Sequence, residues 1–214
     1  MAKKKTITRI QAQRKDPRRR SVFLDGKFAF GLDEEVVSRL GLEKGKDLTE
    51  GRVKEVLSQK AESEAKNAAL RFLSFRRRTE KEIRDKLKSK GFDEKSIKST
   101  IGKLKEYDLI NDSEFAAAWV KERLAYKPRG KKLLAQELWK KGIGKDIIDQ
   151  VTEELCQDEE RSAAELLEKI KGRYKNLEPK VARRRMYGLL LRRGFSYETV
   201  KSALALLVSS AGHE

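Results

Sequence analysis

The chain has 214 residues, 38% hydrophobic and 40% charged, with a formal net charge of +17: room for one large domain or a small domain plus an array, and the composition of slim helices with wide solvated faces. The basic balance points to a polyanion or an acidic protein surface, nucleic acid first, although a lysine-rich surface without a partner carries the same charge. The lone cysteine, Cys156, excludes an intramolecular disulfide framework; no apolar run nears the roughly 18 residues of a membrane span, and no hydrophobic region follows Lys3-Lys4-Lys5, so a soluble, cytoplasmic protein is expected.

Ile7-Thr8-Arg9-Ile10, Ser21-Val22-Phe23-Leu24 and Lys27-Phe28-Ala29-Phe30 are short β-prone segments, the last two separated by Asp25-Gly26. Asp-Gly supplies the positive φ angles of a type I′ turn, so a small three-stranded sheet is expected. Asp33-Glu34-Glu35 opens a short helix through Leu40, with acids where the helix dipole favours them, and Gly41 stops it. A second helix begins near Leu48 or Thr49 and runs toward the rest of the chain.

After Glu62 the pattern becomes helical and repeats. Lys90-Gly91-Phe92, Lys141-Gly142-Ile143 and Arg193-Gly194-Phe195 place glycines 51 and then 52 residues apart. Eight residues before each glycine stand Ile83, Leu134 and Met186, and four before stand Leu87, Leu138 and Leu190; Ile97, Ile148 and Val200 lie six after, and Leu104, Leu155 and Leu207 thirteen after. Intervals of four and seven mark one face of a helix. Each unit therefore reads as a first helix, a second helix ended by glycine in the αL conformation, and a third. Thr79 with Glu82 forms a capping box for one second helix, and Pro179 suits the first turn of another. The expected fold is mainly α: a β-hairpin/α module over 1–62, then three-helix repeats over 63–110, 111–158 and 159–214 in an elongated, curved array.

Residues 1–32 carry ten bases and two acids, residues 33–62 six and eight, and the three repeats fourteen and eight, nine and nine, and twelve and seven. Basic excess thus sits at the N-terminus and in the outer repeats. Arg14, Lys15, Arg18, Arg19 and Arg20 form an N-terminal basic patch; Arg76, Arg77 and Arg78 precede the second helix of the first repeat; Arg129, Lys131 and Lys132 open the next; Arg183, Arg184 and Arg185 lie within the third. Lys88, Lys90, Lys140, Lys141, Arg192 and Arg193 close the same helices, where they complement the dipole. Bases at a helix start oppose the dipole, which points to service for a partner. Phe72, Phe75, Tyr107, Trp119, Tyr126, Trp139, Tyr174 and Tyr187 fall mostly at helical spacing and are expected to pack in the core rather than stack on a strand; Tyr126, beside Lys127 and Pro128 in an inter-helix loop, is the best candidate for an exposed contact.

Catalytic constellations are not evident. His213 is the one histidine, so neither a histidine triad nor a His/Cys zinc site can be assembled. Gly41-Leu42-Glu43-Lys44-Gly45-Lys46-Asp47 departs from a phosphate loop: its glycines are one residue too close, and Asp47 stands where Ser or Thr would hold magnesium. No cofactor, metal or catalytic residue is assigned.

Ala69-Leu70-Arg71-Phe72-Leu73-Ser74-Phe75-Arg76, Thr79-Glu80-Lys81-Glu82-Ile83, Leu87 to Phe92, Leu109-Ile110-Asn111-Asp112-Ser113-Glu114-Phe115-Ala116 and Gly130 to Leu138 resemble the RecX family of bacterial regulators of the RecA recombinase. Val22 to Gly26 with Phe28-Ala29-Phe30 is similar to the leader module of longer members, and Asn111 departs from a frequent Asp-Asp pair while still suiting a helix cap. The resemblance implies a non-enzymatic modulator, mainly an inhibitor, that lies along the groove of the RecA–DNA filament and suppresses strand exchange and co-protease activity; a monomer is expected. Nine helices layered at roughly 8–10 Å would make an arc of about 70–90 Å, long enough to touch several protomers. Single- or double-stranded DNA is the further candidate partner, and a DNA-binding repeat protein that competes with the recombinase is the alternative function.

Overall fold

A computed structural model describes residues 4–211, in two compact units. The first comprises the chain to Arg77 together with Ile83–Leu109; the second comprises Arg78–Glu82 and the chain from Ile110.

In the first unit, strands β1 (Lys5–Ala12), β2 (Arg19–Leu24) and β3 (Lys27–Asp33) pair antiparallel. Asp25 and Gly26 have φ of 50° and 79°, the two positive values that a type I′ turn needs. The expected three-stranded sheet gains a fourth strand, β4 (Asp47–Leu48), giving the order β3-β2-β1-β4. Two residues carry no alternating pattern; tertiary bonds define the strand, with Thr6 Oγ1 donating to Asp47 Oδ1 at 2.7 Å and Ile7 N to the Lys46 carbonyl at 2.9 Å. Helix α1 (Glu34–Arg39) ends before Gly41, at φ 60°, and α2 (Glu50–Leu73) starts at the Thr49 cap and continues without a break past residue 62.

One face of the sheet supplies Ile7, Val22, Leu24, Phe30 and Leu32 to a core completed by Val36 of α1, Leu42, Leu48 and Val56 of α2. A polar clasp adds to it: Arg19 reaches Glu64 at 2.7 Å, and Asp33 accepts from Ser63 Oγ at 2.5 Å and Asn67 Nδ2 at 3.0 Å. The sheet is thereby fastened to the helix that opens the first repeat.

The repeats are built from α2, α3 (Glu80–Ser89) and α4 (Glu94–Glu106); α5 (Asp112–Tyr126), α6 (Lys131–Lys140) and α7 (Lys145–Leu155); and α8 (Glu159–Lys171), α9 (Pro179–Arg192) and α10 (Tyr197–Ala211). Gly91, Gly142 and Gly194 have φ of 83°, 83° and 86°. After each second helix two bonds run back across the end: Phe92 N to Leu87 O and Gly91 N to Lys88 O, Ile143 N to Leu138 O and Gly142 N to Trp139 O, Phe195 N to Leu190 O and Gly194 N to Leu191 O. These are Schellman motifs, which satisfy carbonyls that the helix leaves orphaned. The aligned positions up to six residues after the glycine are all buried; of the last set, Leu104 is buried and Leu155 and Leu207 half-buried.

Two of the three glycines have a second duty within the second unit. The Thr79 hydroxyl donates to the Lys141 carbonyl at 2.8 Å, and Gly130, twelve residues before its own glycine as Thr79 is before Gly91, donates its N–H to the Arg193 carbonyl at 2.9 Å. The start of one second helix thus rests on the capped end of the next. A Cβ on Gly142 would lie 2.3 Å from Lys81 Cδ, and one on Gly194 2.4 Å from Leu133 Cβ, whereas one on Gly91 would meet nothing within 4 Å.

Candidate binding surface

The basic clusters differ in exposure and in the carboxylates that answer them. Arg14, Lys15 and Arg18 are exposed in the turn between β1 and β2, Arg18 pairing with Asp16 at 3.5 Å, whereas Arg19 is held by Glu64 and Asp33, and Arg20 by Glu34. Arg76 and Arg77 are exposed beyond α2, Arg78 is half-buried, and Lys88 and Lys90 are exposed at the end of α3.

In the second unit the opening bases have internal partners. The Arg129 guanidinium contacts Glu137, and Lys131 Nζ bonds Glu153. Desolvation, then the charges of Arg123 and Arg193, lower the Arg129 pKa; the bond it donates to Glu153 raises that of the Lys131 ammonium. At these two positions the expectation that a base opening a helix serves a partner loses its premise, because a carboxylate of the same unit already answers each charge. Lys132, Lys127 and Arg192 are exposed, while Arg193 is half-buried and donates to the Pro128 carbonyl at 3.4 Å. Arg183, Arg184 and Arg185 are all exposed on α9, whose Ala182, Met186 and Leu190 face the core, and no ion pair ties the three to a carboxylate among the described residues.

Glu137 is a hub that sequence reasoning missed. It accepts from Trp119 Nε1 at 2.8 Å, lies 3.5 Å from Arg123 Nε and contacts Arg129. Lys141 Nζ lies 4.4 Å from the Trp119 ring centroid and 3.1 Å from Glu82. The pairing of Glu137 with Trp119, eighteen residues earlier, depends on how α5 packs on α6, which no local spacing reveals. A cleft of about 320 Å³ opens among Lys81, Glu82, Trp119, Glu137, Lys140 and Lys141.

The core reading of the aromatics holds for Trp119, Tyr174 and Tyr187, which pack half-buried against the cores, and is corrected for four others. None of the eight is fully buried, and Phe75, Tyr107, Tyr126 and Trp139 are 82%, 68%, 83% and 66% exposed. Helical spacing misleads for the four exposed rings because the apolar neighbours that shared the pattern fill the core first. Tyr126 is the last residue of α5 rather than part of a loop. The Cys156 thiol is pushed up to about 11, chiefly by burial, which leaves it protonated and inert. No group of three His, Cys, Asp or Glu side chains suited to a metal occurs among the described residues, and none of their helices is long and apolar enough to cross a membrane; His213 lies outside them.

Four family models match successive stretches: the Regulatory protein RecX N-terminal domain over 5–49, and the first, second and third three-helix domains of RecX over 65–104, 111–151 and 158–204. Similar proteins include Regulatory protein RecX of Bacillus velezensis, 37% identical over 92% of this chain and 76% of the relative, and that of Caldanaerobacter subterraneus subsp. tengcongensis, 36% identical over 94% and 98%. Among solved structures, one described as the crystal structure of regulatory protein RecX is similar with a TM-score of 0.76 at 29% identity, covering 92% of this chain and 97% of the other. RecX from Lactobacillus salivarius is similar with a TM-score of 0.63 at 31% identity, covering 69% and 96%.

Proposed function

We infer the function of this chain from its kinship, because it belongs to the RecX family of regulatory proteins. It modulates the RecA recombinase, mainly as an inhibitor and without chemistry of its own. It binds along the groove of the RecA–DNA filament and suppresses strand exchange and co-protease activity. The observation that carries the binding part is the run Arg183, Arg184 and Arg185, which stands exposed while Arg129 and Lys131 are answered internally. Unanswered positive charge attracts acidic filament surface or phosphate, with an affinity that falls as salt rises.

The test is a titration of RecA–DNA filaments with the full chain and with the triple variant Arg183→Glu, Arg184→Glu, Arg185→Glu. Affinity is expected to fall more than about tenfold, from loss of three attractive charges and gain of three repulsive ones, with a shallower salt dependence for any share of the contact made to DNA. Unchanged affinity sinks the assignment of these residues. A second reading, direct DNA binding in competition with the recombinase, is favoured by the exposed Phe75 and Tyr126. Titration against RecA without DNA separates the two, since the competitor has no affinity for the protein alone.

A further inference from the structure

Phe75 and Tyr126 occupy the same place in two repeats. Each stands sixteen residues before its repeat's glycine, Gly91 and Gly142. Phe75 lies in the turn just after α2, and Tyr126 ends α5, so both sit where the first helix gives way to the second. At 82% and 83% they are the most exposed large hydrophobic side chains described. Bases follow each: Arg76, Arg77 and Arg78 in one repeat, Lys127 and Arg129 in the other.

Exposing one large ring is ordinary; exposing it at the same position of two repeats, each time ahead of bases, calls for a ligand. The surroundings narrow the class. Ser74, Arg76 and Arg77 beside Phe75, and Ala125 and Lys127 beside Tyr126, are exposed, small or charged, so neither ring continues along the chain into the apolar surface that a protein partner covers. Because phenylalanine and tyrosine alternate at the position, what they share is the ring face and not the hydroxyl. A flat π-face followed by positive charge is what an unpaired base and its phosphate require. In a duplex that face is occupied by the neighbouring pairs. The third repeat has Glu178 at this position and lacks the feature.

We propose that Phe75 and Tyr126 are base-stacking contacts for single-stranded DNA, one in each compact unit, with Arg76 and Lys127 meeting the adjoining phosphates. The contact goes beyond filament binding and stands or falls separately from it, because it is made to naked strand.

Fluorescence anisotropy with the full chain, a labelled oligo(dT) and an abasic strand of equal length tests it. The double variant Phe75→Ala, Tyr126→Ala is expected to bind oligo(dT) more weakly by about tenfold per ring removed and the abasic strand as the parent does. Phe75→Trp with Tyr126→Trp keeps full affinity, while Phe75→Leu with Tyr126→Leu behaves like the alanine pair. Three results overturn the proposal: unchanged oligo(dT) affinity of the alanine pair, rescue by leucine, or an equal loss on the abasic strand. Tighter binding of oligo(U) RNA than of oligo(dT) overturns the assignment to DNA. Since both rings are exposed, the variants should melt with the parent, and the filament titration with the Arg183–Arg185 variant is read independently.

Discussion

At the residue scale, the repeat glycines look alike in sequence and differ in what surrounds them. Gly91→Ala incurs only the αL penalty, about 1 kcal/mol. Gly194→Ala adds a collision with Leu133, whose backbone N would lie 2.5 Å from the new Cβ. Backbone cannot rotate away, so overpacking raises the total to about 3 kcal/mol. Urea denaturation of the two variants should show this ordering, and equal losses would mean that the helix-end docking in the second unit is not tight. The αL role of these glycines was legible from their spacing and the apolar residues around them. Their role in close approach was not, because Lys81 and Leu133 reach them from 61 residues away in each case. The basic residues divide in the same manner: their clustering was legible, but Glu137 and Glu153 as the partners of Arg129 and Lys131 depend on packing.

At the element scale, Thr79 and Pro179 marked two helix starts in the sequence, and a further cap that the structure adds predicts pH dependence. Asp93 caps α4 by accepting from Ser96 N at 2.8 Å and Ser96 Oγ at 3.0 Å. Those bonds, the backbone one first, hold its carboxyl below the ordinary 3.8. A group whose pKa is depressed on folding stabilises the fold above its unfolded value, and the gain is lost as pH falls through the folded value. Asp93→Ala should therefore cost about 1 kcal/mol near pH 7, and the gap between parent and variant should close below pH 3.8. A gap that persists undiminished at pH 2 would assign the cost to helix propensity instead. Strand β4 and the inter-helix placement of the aromatics were hidden for the opposite reason. A two-residue strand exists only through its partner, and an aromatic at helical spacing is apolar by type whichever way its helix turns it.

At the scale of the whole molecule, the separate cores matter more than the mean composition. The sheet and the start of α2 bury Ile7, Val22, Leu32 and Val56 in one cluster, while α8, α9 and α10 bury Leu167, Leu190, Phe195 and Val200 in another that belongs to the second unit. The sequence pattern announced a change of character near Glu62, yet α2 carries both Val56, in the core of the sheet module, and Ala65, Ala68 and Ala69, buried further along the same helix. Periodicity identifies such a helix without telling which core each turn will enter. Stability in such a chain is expected to be local, with cooperative units opening at their own free energies. Val56→Ala should remove about 2 kcal/mol from its own core by leaving a cavity. Hydrogen exchange read by mass spectrometry should then show faster exchange of the slow amides in β1, β2, β3 and the first half of α2. Those of α9 and α10 should keep the parent's rates. Equal loss of protection in α10 would mean that both units open as one cooperative block.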